Sequence, residues 1–278
     1  MSSTTLEEPR FPPEIERSIF EYAASFERLD IPTLMRVAQR VRIWVEPILY
    51  LTIITTARPG WERFNPPFEE LERYSRHVKY LLIWRKTDSA KITAYLMKCA
   101  QGLESLAIWY PICQTPWQEF VGSFRDLRRL AVRLSMLPEK KTAEGVGTGV
   151  CDFEKEEVFK RITHFELLDL PRTWTSISGL KACTNIEYFG VTDEAEDGQP
   201  PQRAEEVVGD LLAHCGFMKV VLVHDPKVEF KSEDERVVFC GMEWYEYLKD
   251  FVDQAEGRWN FWDKAEEMVN LRRASRTA

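Results

Sequence analysis

The chain has 278 residues, enough to bury an apolar core without disulfides or a structural metal. No metal site and no cofactor are expected. Its 45 acidic and 37 basic residues give a net charge of −8, which argues against a nucleic-acid or membrane partner. No run of 18 apolar residues predicts a membrane span, and the N-terminus lacks a signal-peptide layout. Six cysteines, none at metal-ligand spacing, indicate reduced thiols and a cytoplasmic or nuclear location.

The N-terminal part predicts a disordered tail at 1–10 and a three-helix segment at 11–56. Pro12 and Pro13 suit the start of a first helix, whose apolar stripe consists of Ile15, Ile19, Phe20 and Ala23. Asp30 is expected to cap a second helix, with an inner face formed by Leu34, Val37, Ala38 and Val41. Pro47 is expected to break or restart that helix before Ile48, Leu49 and Tyr50.

After a linker at 57–74, six apolar runs share the spacing L-x-x-L-x-L. The runs are Val78/Leu81/Ile83, Leu103/Leu106/Ile108, Leu127/Leu130/Val132, Ile162/Phe165/Leu167, Ile186/Phe189/Val191 and Met218/Val221/Val223. Their first positions are separated by 25, 24, 35, 24 and 32 residues. The two long intervals contain insertions at 138–150 and 193–203, which are predicted to be surface loops because they are rich in glycine, proline and charge.

Segments of helical periodicity lie between these runs, and a cysteine recurs just before three of them. Cys99, Cys183 and Cys215 are therefore expected to be buried packing residues. A strand and a helix about every 24 residues form the unit of a leucine-rich-repeat solenoid. Residues 75–240 thus predict an α/β solenoid with one parallel sheet and helices on its convex side only.

Residues 241–278 predict a C-terminal helical cap, preceded by a seventh, incomplete strand in the string ERVVFCG. Its first helix carries the stripe Trp244, Tyr247, Leu248, Phe251 and Val252, and Gly257 is expected to end that helix. Its second helix carries the stripe Phe261, Trp262, Ala265, Met268 and Val269. The basic residues Arg272, Arg273 and Arg276 suit the C-terminus of this second helix.

The N-terminal segment resembles an F-box. The matching positions are Phe11, Pro12, Glu14, Ile15, Ile19, Phe20, Leu34, Val37, Ala38, Arg40, Trp44, Leu49 and Tyr50. Together with the degenerate repeats, it resembles the F-box-like leucine-rich-repeat proteins of mushroom-forming fungi. The resemblance implies a substrate-recognition subunit of a cullin–RING ubiquitin ligase, with a Skp-type adaptor and an unidentified protein substrate as partners. The chain is then expected to be a monomer outside that complex.

Two further interpretations of the N-terminal segment follow from the same residues. The resemblance implies that the adaptor binds Phe11, Pro12, Glu14, Ile15, Ile19 and Phe20. The helices alternatively serve only to cover the first apolar edge of the solenoid, as a repeat scaffold without adaptor binding requires.

Alternation along the strands places three rows of residues on the concave face, and the first row is Tyr80, Ser105, Arg129, His164, Tyr188 and Val220. The middle row is small at Ala107, Ala131 and Gly190, which predicts an open trough suited to a peptide. The candidate ligand-binding residues of this trough are Tyr80, Trp84, Trp109, Arg129, Arg133, His164, Glu166, Tyr188 and His224. Two alternatives are that Arg133 pairs with Glu166, and that the linker at 57–70 covers Trp84 and Trp109.

Catalytic motifs are absent, and only weak acid–base candidates remain. These are His164, Glu166, His224 and Asp225. His164 and Glu166 are two residues apart on one strand, so they share a face and can flank a small molecule. A closed pocket around His164, Glu166 and Arg133 favours an enzyme, whereas an open trough favours protein recognition.

Overall fold

A computed structural model of the chain describes residues 11–26, 30–55, 73–84, 89–109, 122–133, 136, 139–141, 147–151, 153, 157–168, 178–192, 202–224, 232–241 and 244–277. The predicted tail at 1–10 and most of the predicted linker at 57–74 lie outside these residues. The chain divides into two compact units, Met1–Leu51 and Thr52–Ala278. We call them the helical unit and the sheet unit.

The helical unit consists of helices α1 (Pro13–Phe26), α2 (Ile31–Leu34) and α3 (Gln39–Leu49). Its core contains the buried residues Ala24, Ile31, Val41 and Val45, with the Trp44 ring packed against them. The guanidinium of Arg40 on α3 donates two hydrogen bonds to the Glu16 carboxylate on α1, at 2.8 and 3.0 Å. This bidentate pair joins the first helix to the third.

The second predicted helix differs from the observed one in three respects. Asp30 precedes α2 but makes no side-chain capping bond. The helical segment is interrupted after Leu34, which leaves Val37 exposed in the turn instead of on an inner face. Pro47 lies inside α3 and does not break it; because α3 ends at Leu49, the proline disturbs only its last turn.

Eight strands of the sheet unit form one parallel sheet in sequential order. Those strands are β1 (Thr52–Thr55), β2 (Tyr80–Ile83), β3 (Ser105–Ile108), β4 (Arg129–Val132), β7 (His164–Leu167), β8 (Tyr188–Thr192), β9 (Val220–His224) and β10 (Val237–Phe239). Between β4 and β7 the chain forms a separate antiparallel hairpin of β5 (Glu139–Lys141) and β6 (Gly147–Cys151). All six predicted strands and the incomplete seventh are confirmed.

The register of the sheet repeats from strand to strand. Tyr80, Ser105, Arg129, His164, Tyr188 and Val220 are successive partners, as the predicted first row requires. At the start of β3, β4, β7, β8 and β9, the backbone carbonyl just before the neighbouring strand accepts two successive N–H groups; Lys79, for example, accepts from Glu104 and Ser105. The repeated bonding shows that the strands are structurally equivalent.

Helices on one face of the sheet belong to the connections between strands. These are α4 (Ser89–Cys99), α5 (Gln202–His214) and the 3-10 helices Glu157–Lys160 and Ser178–Ala182. Phe159 packs its ring 5.4 Å from Phe165, on the side of β7 opposite to Glu166. Right-handed crossovers place the other connecting helices on that same face.

Three local boundaries differ from the sequence prediction. Thr52–Thr55, predicted within the helical segment, forms β1 because its β-branched run pairs with β2. The insertion at 138–150 contains the β5–β6 hairpin, so it is not simply a loop. In the insertion at 193–203, Gln202 and Arg203 are the first residues of α5, and the rest lies outside the described residues.

The two C-terminal helices cover the second face of the sheet. α6 (Trp244–Ala255) packs Leu248, Phe251 and Val252 against Leu82 and Ala107. α7 (Phe261–Thr277) packs Trp262, Ala265 and Val269 against β8 and β9, while Met268 is exposed, contrary to its predicted place in the inner stripe. The sheet therefore carries helices on both faces, and the prediction that they lie on one side only is wrong.

A glycine turn and several side chain–backbone hydrogen bonds hold α6 and α7 in this position. Gly257, at φ 67°, follows α6 in the left-handed conformation that ends a helix, as predicted. The Asn260 side chain accepts hydrogen bonds from the Trp262 and Asp263 N–H groups and so caps α7. Near the end of α7, Arg272 donates to the carbonyl oxygen of Val237 at 2.6 Å. None of the described helices is long and apolar enough to cross a membrane.

The recurring cysteines occupy equivalent turns. The carbonyl oxygens of Cys99, Cys183 and Cys215 each accept the N–H of the residue three positions later. All three thiols are reduced and buried, as predicted. Burial raises the pKa of Cys99 to about 12 and that of Cys215 to about 11.

Native thiol labelling tests this packing role. We expect Cys99, Cys183 and Cys215 to be modified slowly, because each is buried and a buried thiol seldom ionises. Cys240 is less buried and serves as the internal control, which is expected to be modified before these three. Peptide mass spectrometry assigns each site; rapid modification of the three buried cysteines in the folded chain contradicts the account.

Candidate functional site

The strand face under α6 and α7 is built from the predicted rows, but it is not an open trough. At the β2–β3 end, the Trp84 and Trp109 rings lie 4.3 Å apart, and Tyr247 of α6 meets Trp109 edge-on at 5.1 Å. Tyr80 packs against the same cluster and donates to Glu104 at 3.4 Å. α6 thus covers the two tryptophans, whereas the linker at 57–70 falls outside the described residues.

Further along this face, aromatic rings surround His164. The His164 ring stacks on Tyr188 with a centroid distance of 4.2 Å, and Trp262 of α7 meets it edge-on at 5.3 Å. His164 Nδ1 lies 2.8 Å from the Thr163 hydroxyl. Burial, followed by the charges of Arg129 and Lys219, lowers the pKa of His164 to about 3. The imidazole is therefore neutral at physiological pH.

Glu166 is the most deeply buried carboxyl group on this face. Its side chain is 8% exposed, and its Oε2 accepts a hydrogen bond of 3.1 Å from the Tyr247 hydroxyl. Its Oε1 has no hydrogen-bond partner. Burial raises the pKa of Glu166 to about 8; the hydroxyls of Tyr247 and Thr192 oppose this shift, and Asp250 adds to it. Glu166 accordingly carries a proton at neutral pH.

His224 lies beside Glu166 without forming an ion pair. The His224 Nε2 atom is 3.5 Å from Glu166 Oε1, and its Nδ1 atom is buried without a hydrogen-bond partner. Burial lowers the pKa of His224 to about 3. Because both groups are neutral near pH 7, they avoid the large cost of burying separate charges.

Asp250 brings a second carboxyl group to the same face from α6. One of its oxygens accepts the Phe261 N–H at 2.6 Å, which ties α6 to the first turn of α7. Burial raises the pKa of Asp250 to about 7, opposed by that N–H and increased by the charge of Asp253. Asp250 therefore changes its protonation near neutral pH.

A cleft lies between the strand face and helices α6 and α7. Its volume is about 380 Å³ including its opening to solvent, and about 30 Å³ of it accepts the centre of a water molecule. That space holds about two water molecules. The polar groups lining it belong to Ser105, Arg129, His164, Glu166, Tyr247, Asp250 and Gln254.

The predicted pocket residues are only partly brought together. His164 and Glu166 both line the cleft, whereas Arg133 does not line it and is not the partner of Glu166. Arg129, four residues before Arg133, lines the cleft instead. Tyr188 instead donates to Glu266 at 2.9 Å. Asp225 lies outside the described residues.

Sequence reasoning missed the contribution of α6. The sequence predicts Tyr247 only as part of an apolar helix stripe and does not single out Asp250, yet both line the cleft. The available signal was a carboxylate three residues after Tyr247 and directly before Phe251, on an otherwise apolar helix face. Within the described ranges, no group of three or more His, Cys, Asp or Glu side chains is placed to hold a metal ion.

The second candidate surface lies on α1 in the helical unit. Five large apolar side chains on α1 and just before it are 50–78% exposed, namely Phe11, Ile15, Ile19, Tyr22 and Phe26. Four of them follow the 4-3-4 spacing of a single helix face. Of the residues expected to bind an adaptor, Pro12 and Glu14 are also exposed, whereas Phe20 packs against the helical core. We call these five side chains the α1 stripe.

Comparisons with known proteins do not assign the chain to a family. No protein-family model, curated protein or solved structure matches the chain.

A glycine in β8 tests how tightly the strand face fits α7. A Cβ atom at Gly190 would lie 2.9 Å from Glu166 Cγ and 3.2 Å from Trp262 Cη2. We expect Gly190→Ala to lower the free energy of unfolding by about 1–3 kcal/mol, because Glu166 or α7 must move. Urea unfolding measures the change.

Gly209 provides the matched control. It lies on the exposed side of α5, and nothing stands within 4 Å of an added Cβ. Gly209→Ala is expected to stabilise the chain by up to about 1 kcal/mol. Equal effects of the two substitutions contradict the close fit at Gly190.

The buried Glu166 also predicts a pH dependence of stability. Its pKa is about 8 in the folded chain against an ordinary value of 4.5, so the folded state holds the proton more tightly. Its contribution is therefore complete below about pH 4.5 and is lost as the pH rises through about 8, by at most about 1.4 kcal/mol per pH unit. We expect Glu166→Gln to remove this loss, so the variant gains stability relative to the wild type as the pH rises.

Urea unfolding across that pH range measures the difference. Glu267→Gln, at an exposed position of α7, controls for the general loss of a carboxylate. Stability curves of the wild type and Glu166→Gln that stay parallel with pH contradict the assignment.

Proposed function

We propose that the chain is a protein-interaction module, with an F-box-like helical unit and a degenerate leucine-rich-repeat solenoid. In this proposal the α1 stripe binds a Skp-type adaptor, and the chain acts as a subunit of a cullin–RING ubiquitin ligase. The observation that carries the proposal is the α1 stripe itself. Contiguous exposed apolar side chains of this kind mark surfaces that bind another protein.

The geometry of the helical unit supports this assignment. Tyr22 and Phe26 stack with a centroid distance of 6.4 Å at one end of the stripe. Charged residues stand beside it, where Arg17 and Glu21 form an ion pair of 2.8 Å. The Arg40–Glu16 pair meanwhile holds α1 against α3, which keeps the stripe turned outward. An apolar centre with charged flanks is the usual anatomy of a protein–protein interface.

The sheet unit supports the repeat assignment. Its strands are consecutive and parallel, with starts separated by 25, 24, 35, 24 and 32 residues from Tyr80 to Val220. Equivalent cysteine turns and equivalent interstrand bonds recur along it. One supersecondary unit repeated along one axis is what a solenoid requires.

Substrate recognition by this module must use a surface other than the expected one. The strand face that was expected to bind a peptide is covered by α6 and α7. An extended peptide cannot reach Trp109 or Tyr188, both of which are buried. In this proposal a protein substrate therefore binds the solvent-exposed surfaces of the sheet unit, outside the strand face that α6 and α7 cover.

Charged substitutions in the α1 stripe test adaptor binding. We expect Ile15→Asp and Ile19→Asp to abolish binding of the full chain to a purified Skp-type adaptor, because each places a carboxylate in an apolar interface. Both positions are half exposed, so the free energy of unfolding should change by less than about 1 kcal/mol. Surface plasmon resonance and urea unfolding provide the two measurements.

Ile43→Asp is the matched control, since Ile43 is 61% exposed on α3 and lies outside the stripe. It should leave adaptor binding unchanged. A wild-type chain that fails to bind the adaptor, or stripe variants that bind as well as the control, overturns the proposed function.

A further inference from the structure

The basic end of α7 carries an exposed serine that the proposed function does not use. The string there is Arg272-Arg273-Ala274-Ser275, with arginines two and three residues before the serine. Ser275 lies in the last turn of α7 and is exposed to solvent. Its hydroxyl donates a hydrogen bond of 2.8 Å to the carbonyl oxygen of Arg272, within the same turn. The serine is therefore reachable from solvent in the folded chain.

The arginines around this serine attach the end of α7 to β10 and the residues just before it. Arg272 donates to the carbonyl oxygens of Val237 at 2.6 Å and Glu235 at 3.3 Å. The guanidinium groups of Arg273 and Arg276 contact the two oxygens of the Glu235 carboxylate at 2.9 and 3.3 Å. A change of charge in this turn therefore acts on the contacts that hold α7 against β10.

We propose that Ser275 is a phosphorylation site for a serine/threonine kinase with an acidic peptide-binding groove, and that the phosphate releases the end of α7 from β10. Kinases of this kind select their substrates by the pattern of charge around the serine. A guanidinium fork matches a carboxylate, so Arg272 and Arg273 are the groups that the groove binds. The last turn must unwind for this contact, and helix ends fray readily.

The modification transfers the γ-phosphoryl group of a nucleoside triphosphate to the serine. Ser275 Oγ attacks the γ-phosphorus, the bond from that phosphorus to the β,γ-bridging oxygen breaks, and the nucleoside diphosphate leaves. The hydroxyl proton passes to the catalytic aspartate of the kinase. The serine then carries a charge of about −1.5 to −2 at neutral pH.

The new charge weakens the attachment of α7 in two ways. Arg272 and Ser275 are three residues apart, so their side chains are neighbours on the helix surface. A guanidinium binds a phosphate more strongly than a neutral carbonyl, so Arg272 is drawn away from Val237. The phosphate also repels the Glu235 carboxylate and the carbonyl groups at the C-terminus of the helix, where negative charge is unfavourable. The last turn of α7 therefore opens.

Phosphorylation of the purified full chain tests the proposal, with ATP and the catalytic subunit of cyclic-AMP-dependent protein kinase as the probe. We expect phosphate on Ser275, assigned by peptide mass spectrometry and absent at this position from Ser275→Ala. Ser25, near the end of α1, is the matched internal control. It is also exposed and donates to the carbonyl oxygen three residues earlier at 2.8 Å, but no arginine stands two or three residues before it. Ser25 should be modified at least tenfold more slowly.

Two arginine variants separate recognition by the kinase from attachment to β10. Arg273 and Arg276 both pair with Glu235, but only Arg273 precedes the serine. Arg273→Gln should slow phosphorylation of Ser275 at least tenfold. Arg276→Gln should not slow it, because this variant loses an ion pair but keeps both arginines that the kinase binds.

Hydrogen exchange of the modified chain measures the release of α7. Phosphorylation should speed amide exchange at least tenfold in the last turn of α7 and in β10, and should leave β2, six strands away in the sheet, unchanged. The kinase-treated Ser275→Ala chain is the control and should exchange like the unmodified wild type. Absence of phosphate on Ser275, equal rates for the two arginine variants, or unchanged or slower exchange in β10 after modification overturns the proposal. None of these measurements involves the adaptor, so their outcome is independent of the proposed function.

Discussion

A parallel sheet with apolar side chains on both faces must be covered on both faces, and the sheet unit is organised around this requirement. Its strands are buried almost throughout, including Leu82 and Ala107 on one face and Leu81 and Leu106 on the other. The connecting helices can cover only one face, because right-handed crossovers all lie on the same side. α6 and α7 cover the other, and their position determines what the strand face can bind.

Covering the strand face buries polar groups as well as apolar ones. Glu166, His224 and Asp250 lose water, and their pKa values move towards the neutral forms because charges are unfavourable in the interior. Tyr247 satisfies only one oxygen of Glu166. Gly190 leaves the space that the Glu166 side chain and Trp262 occupy. The fit of α7 and the environment of the carboxyl group thus depend on the same strand position.

The two units differ in whether their apolar side chains are covered or exposed to solvent. The sheet unit hides its aromatic rows under its own helices, although tryptophan and tyrosine on a strand face are typical of binding surfaces. The helical unit leaves Ile15, Ile19, Tyr22 and Phe26 exposed on one helix face. Protein recognition by this chain is therefore better supported at α1 than on the sheet, while the sheet retains a small polar cleft.

The sequence by itself determined β2, β3, β4, β7, β8 and β9, with their order and register, and located β10. The L-x-x-L-x-L runs predicted them because alternation and a constant repeat length are local properties of the chain. The same periodicity located α4, α5, α6 and α7 and the turn at Gly257. It missed β1, since a four-residue β-branched run beside a helix has too little length to show a period.

Only the tertiary structure decided where α6 and α7 pack, and with them the candidate site. Amphipathic spacing shows that a helix has an apolar face but not which surface that face covers. A helix that caps the end of the solenoid and a helix that covers its strand face need the same apolar spacing, which in α6 is that of Leu248, Phe251 and Val252. The association of Asp250 with Glu166 and Arg129, far apart in the chain, follows from that packing and has no signature in any one segment.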